Sequence, residues 1–275
     1  MQAFRKRISG LWRLPFILLI AVIYLSPIFV LIGVSFKSKS DVSSYWKIAT
    51  SIYTENFVNA VTQGKILLGI RNSAFITVIS VLLIVFIGAL AAYPLTRRRT
   101  KWNKFIKYFS MGIMMVPPLS ILVPLYSTLI GINGDNTYWG IIVILVTFEL
   151  PLSVFLYSNF IATIPIALDE AAAIDGCSPA RAFISIILPQ LKPVTVSVII
   201  LTGMHCWNDY QFSLYILQKP ALKTITLAIS SFFSQTTSDL HAAAAGALIA
   251  ILPVIIIFIF LQKYFIKGMI DSAIK

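Results

Sequence analysis

Acidic residues are scarce in this 275-residue chain, with 10 Asp and Glu against 22 Lys and Arg. Histidine and cysteine are scarcer still, at 2 of each. Each shortage removes a class of chemistry. Cys177 falls in a polar loop and Cys206 in an apolar stretch, so neither a disulfide nor a cysteine-based metal site is expected. There is no His-Glu-x-x-His run, no Gly-x-Ser-x-Gly elbow and no clustered set of metal ligands, and His205 and His241 alone give a histidine-based active site little to draw on. A phosphate-cradling loop is also missing: Gly64-Lys65 is followed by Ile66 and lacks the upstream glycine. No covalent chemistry and no cofactor is therefore expected in this chain, which disfavours a polytopic membrane enzyme.

What the chain does have is oil. It is 58% hydrophobic and 12% charged, a balance of the membrane class rather than of a soluble domain. A span needs roughly 20 mostly apolar residues to cross about 30 Å of hydrocarbon. Six stretches qualify, at 14–36, 73–95, 105–130, 138–160, 194–217 and 242–265. The expected fold class is an all-α polytopic membrane protein of six transmembrane helices. The first stretch follows Arg5, Lys6 and Arg7, but it is too long for a signal-peptide core and no small-x-small site ends it, so it reads as a retained helix.

The net charge of +12 raises the question of an anionic or nucleic-acid partner, and the placement of the charges answers it. With six spans and a cytoplasmic N-terminus, 15 basic residues fall on the inner side and 7 on the outer side, the asymmetry of the positive-inside rule. The basic excess sets topology, with both termini cytoplasmic, and no nucleic-acid partner is expected. The chain then reads as a cytoplasmic tail (1–13), a first helix (14–36), an external loop (37–70), a membrane core (71–266) with a long cytoplasmic loop at 161–191, and a cytoplasmic tail (267–275).

The external loop, with Tyr45, Trp46, Tyr53 and Phe57, suits an amphipathic element on the headgroups or a docking surface. The run Thr-Arg-Arg-Arg-Thr from Thr96 reads as an orientation anchor with lipid contacts. A short helix is expected near 225–233. Prolines interrupt the spans, and Pro117, Pro118 and Pro124 together predict a bend in the third. Glu149 lies within the fourth span, and Trp207, Asn208, Asp209 and Tyr210 follow His205 within the fifth. Ionisable groups at that depth cost about 2.5–3.5 kcal/mol and usually face a bundle interior or water. They suit either a polar, aromatic-lined solute pathway or helix–helix packing.

The long inner loop carries Asp-Glu-Ala-Ala-Ala-Ile-Asp-Gly-Cys-Ser-Pro from Asp169. Pro165 can open a helix through Ala173, Gly176 suits the reversal that ends it, and Ser178-Pro179 reads as an N-cap with proline in the first turn of a second helix. The product is a two-helix elbow with a narrow alanine face, either a docking surface or a solvated interfacial helix. The spacing Glu170-Ala171-Ala172-x-x-x-Gly176, then nine residues and Ile186-x-Leu188-Pro189, resembles the EAA loop of ATP-binding-cassette (ABC) importer permeases. Flanking matches include Ile174-Asp175-Gly176, the Ile121–Tyr126 run and Trp207-Asn208-Asp209-Tyr210, over about 72–275. Within that family the chain is most similar to the MalG-like sugar-importer branch. Cys177 departs from the usual small alanine, and Glu149 stands where an uncharged residue is usual.

The resemblance implies the MetI-like fold of type I ABC importers in a bacterial plasma membrane. It implies a homologous second permease subunit, two cytoplasmic ATP-binding subunits that hold the ATP and Mg, an external solute-binding protein and a sugar substrate. Glu170, Ala171, Ala172, Asp175 and Gly176 would form the coupling helix that seats in an ATPase subunit. A permease for an amino acid or polyamine is the near alternative, and an ion-coupled secondary transporter using Glu149 or Asp209 the more distant one.

Overall fold

The computed structural model describes residues 13–49, 51–233 and 238–273. Arg5, Lys6 and Arg7, and Lys275 at the other end, lie outside the described residues. Two compact units divide the chain, one formed by 1–66 with 228–252, the other by 67–227 with 253–275. Among the described residues there is no named strand, and the only bridge joins Phe233 to Ser238.

The first unit begins with α1 (Arg13–Ser35), an uncharged apolar helix after its first residue and long enough to span. The segment beyond it is not a plain external loop. It holds the eight-residue helix α2 (Glu55–Thr62), apolar along one face as expected for an amphipathic element. Asn56, fully buried, donates to the carbonyls of Ser35 and Lys37 at 2.9 and 2.8 Å and so fixes the exit from α1. Lys37 is itself buried, its Nζ donating to Ser43 Oγ and the Ser44 carbonyl at 2.8 and 2.7 Å. Asp239 pairs with Lys39 at 2.7 Å and accepts from the Ala242 amide, capping the long last helix, α13 (Leu240–Ala273), whose opening residues belong to this unit. Burial raises the Asp239 pKa, but the bonds to Lys39 and Ala242 outweigh it and hold the carboxyl below its usual range.

The second unit carries α3 (Ile66–Arg97), longer at its start than the expected 73–95 because the polar Arg71 and Asn72 are absorbed into the helix. The third span is broken, as its prolines predicted. Helix α4 (Lys101–Ile113) is followed by a 3-10 turn (Pro118–Ile121) and α5 (Leu122–Gly131), and the two arms meet at 97°. Helix α6 (Tyr138–Thr163) is a continuous span. It is followed by the elbow helices α7 (Ala167–Ile174) and α8 (Pro179–Ala182), a π-turn (Phe183–Ile187), α9 (Leu188–Gln190) and α10 (Lys192–Trp207).

The expected fifth span at 194–217 needs correction: α10 stops at Trp207, and α11 (Gln211–Ile216) restarts after a break at 208–210. The short helix expected near 225 is α12 (Ile225–Ser230). Through most of the expected tail at 267–275 the chain is helical, since α13 runs to Ala273. Among the described residues four helices are long and apolar enough to cross a membrane unbroken, or up to six spans if each of two bent pairs counts as one.

Between α3 and α6 the packing is close because the contact is small. A Cβ at Gly88 would overlap Ser153 Oγ, and Ser153 is fully buried, donating to the Ile84 carbonyl at 3.2 Å. Small residues replace the hydrophobic driving force that lipid does not supply. Deeper in, Tyr157 on α6 is fully buried and its hydroxyl donates to Thr195 on α10 at 3.0 Å. Asn72 and Ser73 hold the segment after α11: Asn72 donates to the carbonyls of Ala221 and Lys223, and Ser73 accepts from the Ile225 amide.

Replacing Gly88 by Val is expected to lower the thermal midpoint of the purified protein in detergent, by an overpacking cost of about 1–3 kcal/mol. Gly112, which has open space around its Cβ position, should accept Ala without loss. The pair of midpoints checks the packing.

Candidate functional site

The elbow folds as its local chemistry dictates. α7 ends at Ile174, and Gly176 takes the left-handed conformation with φ +76°, which an L side chain rarely adopts. Its amide closes onto the Ala173 carbonyl at 3.1 Å, and that of Cys177 onto Ala172 at 2.9 Å. Ser178 then accepts from the Arg181 amide at 3.3 Å, with Pro179 in the first turn. This is the cap–proline pair expected from the sequence.

One face of α7 is fixed to α3. Asp169 forms an ion pair with Arg97 at 2.9 Å and accepts from the Tyr93 hydroxyl at 2.6 Å. The same guanidinium donates to the Ile161 and Ile164 carbonyls at 3.2 and 3.0 Å, where α6 ends. Arg97 thus serves the protein's own packing, not the lipid contacts expected of the basic run. Its side chain is 12% exposed and that of Asp169 16%, so the pair is shielded from solvent. Ala172 is buried against its own chain at 2% exposure, which corrects the notion of a uniformly open alanine face. The open side of the elbow carries Glu170, Ala171, Ala173, Ile174, Asp175 and Gly176, with Ile174 87% exposed. A groove of about 530 Å³ beside it is lined by Arg97, Arg98, Glu170, Ala173, Pro179 and Ile184, among others.

The second locus lies where α10 breaks. His205 Nδ1 stands 3.0 and 3.1 Å from the two carboxylate oxygens of Glu149 on α6. Asn208 is exposed and donates to the Met204 carbonyl at 3.0 Å. The other predicted pathway residues divide. Trp207 is buried beside an apolar cavity of about 290 Å³ lined by Val78, Val81, Gly203 and Phe258, among others. Asp209 turns to α11, accepting from the Phe212 and Ser213 amides and the Ser213 hydroxyl at 3.2, 2.9 and 2.7 Å. It caps the restarted helix. Tyr210 is 40% exposed. Among the described residues no group of three His, Cys, Asp or Glu could hold a metal.

Reading the sequence missed three features. His205 is the partner of Glu149, Asp169 and Arg97 clamp the elbow, and Ile174 is its exposed apolar tip. The one sequence signal for the clamp was an acid placed just before Glu170.

Against known proteins, the family described as binding-protein-dependent transport system inner membrane component matches residues 84–271. The melibiose/raffinose/stachyose import permease protein MelC of Bacillus subtilis (strain 168) is 41% identical over 94% of either chain. The probable starch degradation products transport system permease protein AmyC of Thermoanaerobacterium thermosulfurigenes is 32% identical, again over 94% of each. A chain of a bacterial ABC transporter involved in the import of the acidic polysaccharide alginate shares the fold at a TM-score of 0.79 and 18% identity, covering 95% of this chain and 98% of its own.

Removing one partner from a shielded ion pair costs about 3–5 kcal/mol. Asp169→Ala is therefore expected to loosen the elbow, raising amide hydrogen exchange across 161–176 well above that of α6. Exchange unchanged from wild type would show that the clamp does not hold the elbow.

Proposed function

This chain belongs to the family of binding-protein-dependent transport system inner membrane components, and we propose that it is the permease subunit of an ATP-driven sugar or oligosaccharide importer. It is a multi-pass membrane protein of the transport-permease class. The saccharides in its relatives' names support the cargo class. In this reading a homologous second permease, two cytoplasmic ATP-binding subunits and an external solute-binding protein complete the assembly in a bacterial plasma membrane. Both termini face the cytoplasm. ATP and Mg belong to the ATP-binding subunits, and this chain catalyses nothing.

The observation that carries the mechanism is the two-sided elbow. One side is latched to α3 through Asp169, Arg97 and Tyr93, and the other leaves Ala171, Ala173 and Ile174 open. An apolar tip flanked by small side chains fits a cleft on another protein, and the latch passes a push on that tip into a membrane-spanning helix. Closure of the ATPase pair on ATP would displace the elbow and shift the spans from inward-open to outward-open, with hydrolysis resetting them. Glu170, Ala171, Asp175 and Gly176 would form the coupling contact, with Ala172 holding the helix to its own chain. Glu149, Asn208 and Tyr210 would lie along the solute route, with Trp207 and Asp209 shaping the α10 break.

Glu170→Lys and Gly176→Asp are each expected to leave the protein in the membrane while abolishing substrate-stimulated ATP hydrolysis and copurification of the ATPase. Normal copurification and unchanged stimulation in both variants would refute the coupling role.

A further inference from the structure

On the reading of the chain as a saccharide-import permease, we propose that Glu149 and His205 form one hydroxyl-binding subsite in the solute route, built for neutral rather than anionic saccharides. The site begins with depth. Glu149 lies roughly 17 Å along α6 from Tyr138 and 21 Å from Thr163, near the middle of a span. His205 meets it from the last turn of α10, just before the break at 208–210.

The second consideration is exposure. The His205 side chain is 57% exposed and Asn208, one turn on, is exposed too, whereas Glu149 is 17% exposed. Polar groups this open at mid-span cannot face hydrocarbon without a cost of about 2.5–3.5 kcal/mol for an ionised side chain. The face therefore meets water or another polar surface.

The third is chemistry. An ionised carboxylate only accepts, so the contact to both oxygens places the hydrogen on His205 Nδ1. Nε2 remains to meet a solute, and the carboxylate keeps lone pairs for hydroxyl donors. A sugar hydroxyl both donates and accepts, and so fits a carboxylate beside a ring nitrogen. An anionic sugar does not. While its carboxylate is ionised, the pair carries no net positive charge. Glu149 is the sole charged residue of α6, α5 has none, and the nearest acid along α10–α11 is Asp209. The one fixed cation of α10 is Lys192, about 20 Å along the helix from His205. No lysine or arginine on these elements stands ready to hold a carboxylate.

The test uses the complete transporter in proteoliposomes, with raffinose, maltotriose and trehalose as probes. For the sugar that wild type accumulates, Glu149→Ala and His205→Ala should each cut uptake about tenfold or more, with ATPase copurification and basal hydrolysis kept. Glu149→Gln and His205→Gln, which keep hydrogen-bonding groups, should recover to within about threefold. In the same preparation, Asn208→Cys with Cys177→Ser and Cys206→Ser is treated with cationic and anionic methanethiosulfonates. Corrected for their rates with a free thiol, the cationic reagent should react about fivefold faster, and adding Glu149→Gln should erase that bias. Alanine variants that transport at the wild-type rate, alanine variants that lose the ATPase, or an absent labelling bias would each overturn the subsite. Failure of wild type to accumulate any of the three sugars would instead overturn the saccharide-permease reading, and the subsite with it.

Discussion

Arg97 is the side chain on which the mechanical reading of this protein depends. It sits at the last turn of a membrane-spanning helix and donates to two carbonyls where the next continuous span ends. It also meets the carboxylate of Asp169, which a tyrosine hydroxyl holds from the other side. A single guanidinium thereby joins the end of α3, the end of α6 and the start of the elbow. Arginine suits this place because its planar fork serves several acceptors at once, and lysine would offer a point charge to one. Beside that joint, the buried Ala172 and the Tyr93–Phe183 ring contact, with centroids 5.0 Å apart, hold the same region to the helix bundle.

The same economy recurs through the core. Backbone groups freed in a membrane must find partners inside the protein. Where α10 breaks, Asp209 caps α11, and Thr226 donates to the Asp209 carbonyl at 2.6 Å. Where the chain leaves α11, Asn136 accepts from the amides of Gln218 and Lys219 at 2.8 and 2.9 Å. Asn72 secures the next turn, and the Tyr138 hydroxyl donates to its side-chain oxygen at 2.8 Å. Irregular backbone is thus anchored by polar side chains, some on helices, as Asn72, and some in the irregular segments themselves, as Asn136 and Asp209. The helices can break where a polar face is needed because each break is locally repaid.

Much of this was legible beforehand for identifiable reasons. Long apolar runs announced the spans, since the hydrocarbon thickness demands them. Pro117 and Pro118 announced the bend in the third span, since proline removes an amide donor. Gly176, Ser178 and Pro179 announced the turn of the elbow, since each has a narrow conformational role. The stop of α10 at Trp207 was not legible. Apolar residues resume from Phe212 to Leu217, and the break depends on Asp209 capping a new helix instead of extending the old one. The inward turn of Ala172 was equally hidden, because three consecutive alanines look alike until a neighbouring helix selects one of them.

By itself, the sequence determined that this is an all-helical membrane protein, where its chain must bend, and that residues 169–189 form a capped elbow. Those are consequences of composition, proline, glycine and local hydrogen bonding, which act over a few residues. Only the tertiary structure decided which polar side chains meet. Arg97 and Asp169 are 72 residues apart in the chain and Glu149 and His205 are 56 apart. Their contacts follow from how α3, α6, α7 and α10 pack, and local propensity carries no information about that. An arginine in a basic run and a histidine in an apolar helix become a latch and a half-open polar pair only when another helix brings the acid.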